Sequence, residues 1–180
     1  MRWKVVDERG RTCDAVQPAL FDAPVGREIG VGEFRGLEFI HVQARTIVNR
    51  LKTQGPLPSS NTINPYRGCS HACTYCFARP THAYLELDPA TEFDSVIVVK
   101  VNAVERLRAE LAPNRCSGEA VAMGTNTDPY QRAEGKHPLT EGIIDVLTAR
   151  VRTLEARWRQ RARPEPAAVS RSSARGPSGP

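Results

Sequence analysis

Residues 95–112, SVIVVKVNAVERLRAELA, decide the architecture. The first part, 95–102, is an unbroken run rich in β-branched residues. Such a run predicts a strand buried on both faces, the kind found in parallel sheets. The second part, 103–112, changes period. Val104, Leu107 and Leu111 recur at helical spacing with charged residues between them, which predicts an amphipathic helix ending at Pro113. A strand leading directly into a helix is one βα unit.

Two more units flank it. Upstream, TINPYRG (62–68) reads as a short strand entering a cysteine-rich loop, and ARPTHAYLEL (78–87) as a helix begun near Pro80. Downstream, EAVAMGTNTDPY (119–130) reads as a strand with a polar exit. LTEGIIDVLTARV (139–151) reads as a helix with Thr140 as its cap. Strand, loop and helix three times over predict an α/β fold of parallel strands with right-handed crossovers. In such sheets the functional site lies at the carboxyl ends of the strands. The cysteine loop and GTNTDPY both fall there. Before this core, MRWKVV suggests a strand and VGREIGVGEFRG (25–36) a loop or hairpin. LEFIHVQARTIVNRL (37–51) suggests a strand running into a helix, and KTQGPLPSSNT (52–62) turn chemistry. The expected organisation is an N-terminal extension over 1–58, a core over 59–150 and a tail over 151–180.

The 180 residues carry a net charge of +5, but the charge is not evenly spread. Residues 150–180 alone carry +6 and everything before them −1. The body of the protein therefore gives no argument for a nucleic-acid-binding surface. The tail is a mixture of Arg, Ala, Pro, Ser and Gly without apolar periodicity after Trp158. Two readings stand: a disordered basic extension, or a coding frame that slipped after about residue 149. No apolar run approaches the roughly 20 residues of a membrane helix, and the N-terminus has no secretory pattern. The expected compartment is the cytoplasm, where clustered cysteines bind metals or do redox chemistry rather than form disulfides.

Three of the five cysteines, Cys69, Cys73 and Cys76, stand within eight residues as C-x3-C-x2-C. Spacings of two and three let successive thiolates face one metal centre. A structural zinc site wants four protein ligands, and no fourth is evident beside the loop. Three thiolates suit a [4Fe–4S] cluster with one iron left open for another ligand. The plainer alternative is a zinc-binding module that contacts nucleic acid through the basic tail. For GTNTDPY the plainer reading is a strand-to-turn exit.

The motif C-x3-C-x2-C with Tyr75 before its last cysteine resembles the radical S-adenosylmethionine superfamily. The stretches NPYRGCSHACTYCFAR, VVKVN and MGTNTDPYQ more narrowly resemble its spore photoproduct lyase-like branch, often called DNA repair photolyase-like. The resemblance spans about 60–149. It implies an incomplete (βα) partial barrel of the TIM type, with about three βα units present. It implies that Cys69, Cys73 and Cys76 hold the [4Fe–4S] cluster, and that S-adenosylmethionine binds the open iron. Reductive cleavage of that cofactor then gives a 5′-deoxyadenosyl radical, which abstracts hydrogen from a substrate. Tyr75 would lie near the adenine, and Asn126, Thr127 and Asp128 near the methionine end. Lys100 and Asn102 are weaker candidates at the same mouth. An electron donor such as flavodoxin or ferredoxin is implied as a partner, with nucleic acid as one substrate class. The stretch GTNTD has no cysteine to return a hydrogen atom, so thymine-dimer repair by that route is not expected. The later barrel units have no counterpart, and the chain is expected to be a truncated or inactive form.

Overall fold

The hairpin expected over 25–36 forms around Gly30 and Gly36. The computed structural model describes residues 24–50, 59, 61–112 and 118–161, together with the backbone of β1 (Val5–Val6) and β2 (Thr12–Cys13), which pair antiparallel. Strand β3 (Gly26–Ile29) turns through a short 3-10 segment at Gly32–Phe34 into β4 (Glu38–Val42), and the two pair antiparallel. Of the turn expected at 52–62, residues 52–58 and 60 lie outside the described residues, while Asn61 and Thr62 belong to a strand instead. Cys116 and the tail from 162 also lie outside the described residues.

The decisive stretch folds as its pattern demands. β8 (Val96–Lys100) is buried at every position, and α1 (Ala103–Glu110) follows it. Before it in sequence come β5 (Val48–Arg50), β6 (Asn61–Ile63) and β7 (Tyr66–Arg67), then a 3-10 helix at Arg79–Leu85 that carries Pro80 in its first turn. After α1 come β9 (Val121–Met123) and α2 (Leu139–Arg161). Ile97 and Val99 point from β8 into a core with Leu37, Phe39 and Tyr66, while Val98 packs on the other face with Val42, Ala44 and Leu85. That two-sided burial explains the absence of polar alternation in the run. Leu107 of α1 and Ile143 of α2 meet Ile47 and Ile63 in a further core. Burying side chains of this size contributes about 1.5–3 kcal/mol each.

The expected parallel barrel segment is not what forms. In one sheet the strand order is β3-β4-β8-β7, and in the other β5-β6-β9. β8 lies parallel to β4, from Glu38↔Val96 to Val42↔Lys100, and antiparallel to β7. β9 is parallel to β6 and does not border β8. The three strands expected side by side are therefore split between two mixed sheets, with no closed barrel among the described residues. Two causes act together. Pro65 lacks an N–H for the ladder, so the expected single strand over 62–68 breaks into β6 and β7, with only the Pro65 carbonyl accepting from Lys100 N at 3.1 Å. And β4 supplies an apolar, extended partner for β8.

A second expectation also gives way. Residues 43–50, expected to run into a helix, do not form one among the described residues. The Asn102 side chain brackets Ala44, accepting from its N–H at 2.8 Å and donating to its carbonyl at 3.0 Å. The Glu110 carboxylate accepts from Ile47 N at 2.9 Å and Val48 N at 3.0 Å. Backbone groups that a helix would pair internally are satisfied instead by the side chains of Asn102, just before α1, and Glu110 at its end. Thr140 does not cap α2 either. Glu134 accepts from the Thr140 N–H at 2.8 Å, and the Thr140 hydroxyl donates to the Pro129 carbonyl at 2.8 Å. An acidic group at a helix start is favourable for charge as well as for pairing. α2 continues through 151–161, the first part of the expected tail, with those turns mostly exposed. No helix among the described residues is long and apolar enough to cross a membrane.

Candidate functional site

Backbone geometry sets the cysteine loop. Gly68 enters it at φ +82, in the left-handed region that favours glycine. Cys69 N donates to the Phe93 carbonyl at 2.9 Å. The carbonyls of Cys69, Cys73 and Cys76 then accept from Ala72, Cys76 and Arg79, each three residues on and each at 3.3 Å. The loop is thus a succession of tight turns, every one opened by a cysteine, with Ala72 held at φ +55. All three thiols are free; Cys69 is buried beside Ala78 and Phe93, and Cys73 and Cys76 are half-buried.

Buried polar side chains pin the loop to the scaffold. Gln131, 1% exposed, accepts from Ser70 N at 2.9 Å and donates to the Gly68 carbonyl at 3.1 Å. Arg79 donates through Nε to the Cys73 carbonyl at 3.1 Å, pairs with Asp94 at 3.1 Å and lies over the Phe93 ring at 5.2 Å. His82, fully buried, donates through Nε2 to the Val96 carbonyl at 3.1 Å, and burial pushes its pKa down.

The carboxyl ends of β6 and β9 meet through Asn64. Its side-chain oxygen accepts from Asn126 N at 2.9 Å, its amide nitrogen donates to Thr125 Oγ1 at 3.1 Å, and its carbonyl accepts from Lys100 Nζ at 2.5 Å. Thr127 is buried, and its hydroxyl has no partner among the described residues. Asp128 caps the next turn through Tyr130 N at 2.8 Å and faces His71 across 3.4 Å. Arg132 N donates to Ser70 Oγ at 3.2 Å.

The structure therefore brings together the two features that the sequence placed at strand ends. The segment 124–132 is stitched to the cysteine loop by Gln131, Arg132 and the His71–Asp128 pair. Tyr75 is not drawn in; it stands 89% exposed on the loop, near in sequence to the also exposed Phe77. Asn64 and Gln131 were not singled out by the sequence, although both sit inside the stretches that were, NPYRGC and TDPYQ. Nothing local in a lone amide side chain says which distant backbone it will serve.

Lys100 adds a titratable group to this floor. Burial pushes its ammonium down to about 7, with the like charge of Arg67 adding to the effect and Glu110 opposing it. Between pH 7 and the ordinary lysine range, the unfolded chain keeps a proton that the folded chain has released, so stability rises with pH. Lys100→Met removes this dependence. The unfolding free energy of the wild type relative to Lys100→Met is expected to climb by up to about 1.4 kcal/mol per pH unit between pH 7 and 9. Urea unfolding across that range measures it, and a difference flat with pH would show that Lys100 keeps its ordinary pKa.

Among the described residues, the three sulfurs are not a group whose atoms all lie within 4.8 Å of one another, as the shell of a single ion would require. The chemistry of the donor set, three free thiols on one loop, is that of a soft-metal or iron–sulfur ligand set.

No family model matches the chain, and no solved structure matches it. It is similar to the uncharacterized protein Rv2578c of Mycobacterium tuberculosis (strain H37Rv), 45% identical over 152 residues, which is 83% of this chain and 45% of that protein. The uncharacterized protein Mb2609c of Mycobacterium bovis gives the same figures. The uncharacterized protein MJ0683 of Methanocaldococcus jannaschii is 28% identical over 114 residues, 63% of this chain and 40% of that protein. The chain thus spans less than half the length of the curated relatives it matches.

Proposed function

We propose that the chain holds a [4Fe–4S] cluster on Cys69, Cys73 and Cys76 and acts as a radical S-adenosylmethionine protein of the spore photoproduct lyase-like kind. The observation that carries the reading is the pinned C-x3-C-x2-C loop, which offers three thiolates where a cubane has four irons. Bound there, the cluster would supply the electron that cleaves S-adenosylmethionine to methionine and a hydrogen-abstracting 5′-deoxyadenosyl radical.

The chain's own residues have separate tasks in this reading. The Asp128 carboxylate attracts the ammonium of the methionine end. The buried Thr127 hydroxyl and the Asn126 amide offer hydrogen bonds to the ammonium and carboxylate. Tyr75 offers its ring face to the adenine. Gln131 and Arg79 hold the loop backbone, so the thiolates are positioned before a cluster arrives. The site of action is the cytoplasm, the electron donor a flavodoxin or ferredoxin, and nucleic acid one substrate class.

The test is the EPR spectrum of the reduced, anaerobically reconstituted protein with and without S-adenosylmethionine. The reading expects the cofactor to change the signal, since it ligates the open iron directly. An unchanged signal removes the cofactor from the reading. A colourless protein holding one zinc replaces the reading with the zinc-binding module.

A further inference from the structure

Glu28, His41 and His137 form a cluster that the cysteine chemistry does not use. One carboxylate oxygen and one nitrogen from each ring all lie within 4.8 Å of one another. Separate elements deliver them. Glu28 is on β3 and His41 on β4, whose register pairs Gly26 with His41 and Glu28 with Phe39. Residues two apart on a strand share a face, so Glu28 is the diagonal neighbour of His41. Gly26 leaves the space beside His41 open; a Cβ there would lie 3.3 Å from its Nδ1. His137 arrives from the turn before α2. Its carbonyl accepts from the Tyr66 hydroxyl at 2.6 Å, and its N–H donates to the Ala133 carbonyl at 2.9 Å. Phe39 meets its ring edge-on at 5.1 Å.

The two imidazole Nε2 atoms stand 3.4 Å apart. A direct hydrogen bond between ring nitrogens would close to about 2.9–3.0 Å. Two nitrogens on one tetrahedral zinc, each about 2.0–2.1 Å from it, stand about 3.3–3.4 Å apart. The spacing is long for the first arrangement and natural for the second. Glu28 is oriented by Lys136, whose Nζ donates to it at 2.5 Å while lying 5.7 Å from the centres of the Phe34 and Phe39 rings. That lysine competes with a cation for the carboxylate, so the site is not expected to be tight.

We propose that Glu28, His41 and His137 form a divalent transition-metal site, with its remaining positions open to water or an oxygen ligand. All three residues are half-buried, which lets an ion enter and leaves room for a further ligand. Two imidazoles and a carboxylate suit Zn2+ or Fe2+. The ligands are nitrogen and oxygen alone, which separates this site from the cysteine loop.

The experiment uses Co2+ as probe on the full chain carrying Cys69→Ser, Cys73→Ser and Cys76→Ser together. About one equivalent is expected to bind with visible ligand-field bands and no thiolate charge-transfer band, and Zn2+ is expected to displace it. His41→Ala or His137→Ala added to this background is expected to weaken binding about 100-fold or more, at or beyond the upper end of what outer-shell changes cost. Where circular dichroism shows that a histidine variant has not folded, Glu28→Gln decides in its place, with about a 10-fold loss expected. Absence of the bands, or an affinity that none of these substitutions moves, would show a plain histidine pair and overturn the site.

Discussion

Cys73→Ala protein, treated with iron and sulfide without oxygen, is expected to stay colourless, whereas the wild type is expected to turn brown and to hold about four irons per chain. The fold is expected to survive the change. Cys73 is half-buried, and what anchors this part of the loop is its carbonyl, which accepts from Arg79 at 3.1 Å and from Cys76 N at 3.3 Å. Alanine keeps that carbonyl. A substitution of this kind costs about 1 kcal/mol or less, too little to unfold a domain of ordinary stability. Iron content and urea midpoint therefore separate: the first collapses and the second barely moves. Cys69→Ala contrasts with it, because Cys69 is buried with Ala78 and Phe93 and its loss opens a gap in the packing as well. Cys73→Ala protein with undiminished iron would show that Cys73 is not a ligand.

What the sequence made legible was what local pattern encodes. The apolar run of β8 states that both its faces are buried, and the helical spacing after it places α1; both form as read. The same run does not say which strand covers each edge. β4 lies in the stretch read as an extension, yet it takes the parallel place beside β8, and Pro65 divides the strand that was expected there. The helix expected before Leu51 failed for a related reason. Its backbone partners, Asn102 and Glu110, lie tens of residues away, and neither announces itself as a cap for a distant segment. The neighbourhood of the cysteine loop and GTNTDPYQ was legible even though the sheet was not. Both follow strands, but the cysteine loop leaves β7 and GTNTDPYQ leaves β9 of the other sheet, so it is Gln131, Arg132 and the His71–Asp128 pair that join them. The pairing of His41 with His137 had no local signal at all, since only tertiary folding brings β4 to the start of α2.

Gly68→Ala is expected to be the most destabilising small substitution in the loop, at about 3 kcal/mol or more. Two effects add. An L-residue held at φ +82 costs roughly 1–2 kcal/mol in backbone conformation. The new Cβ would also lie 2.7 Å from the Val96 carbonyl oxygen, 2.9 Å from the Phe93 carbonyl oxygen and 3.0 Å from His82 Cε1. The first two are backbone atoms of the scaffold, and they cannot swing aside as a side-chain tip can. The Phe93 carbonyl also accepts from Cys69 N at 2.9 Å, so any shift that relieves the clash drags the first cysteine. Gly36 supplies the control. It has φ +86, but nothing lies within 4 Å of a Cβ built on it. Gly36→Ala should therefore show the conformational cost alone, about 1–2 kcal/mol. Urea unfolding of the two variants isolates the contact with the strand-end carbonyls as their difference, and iron loading should fall only in Gly68→Ala. Equal losses of stability in the two would mean that the loop entrance yields freely, and that its close approach to Val96 and Phe93 does not position Cys69.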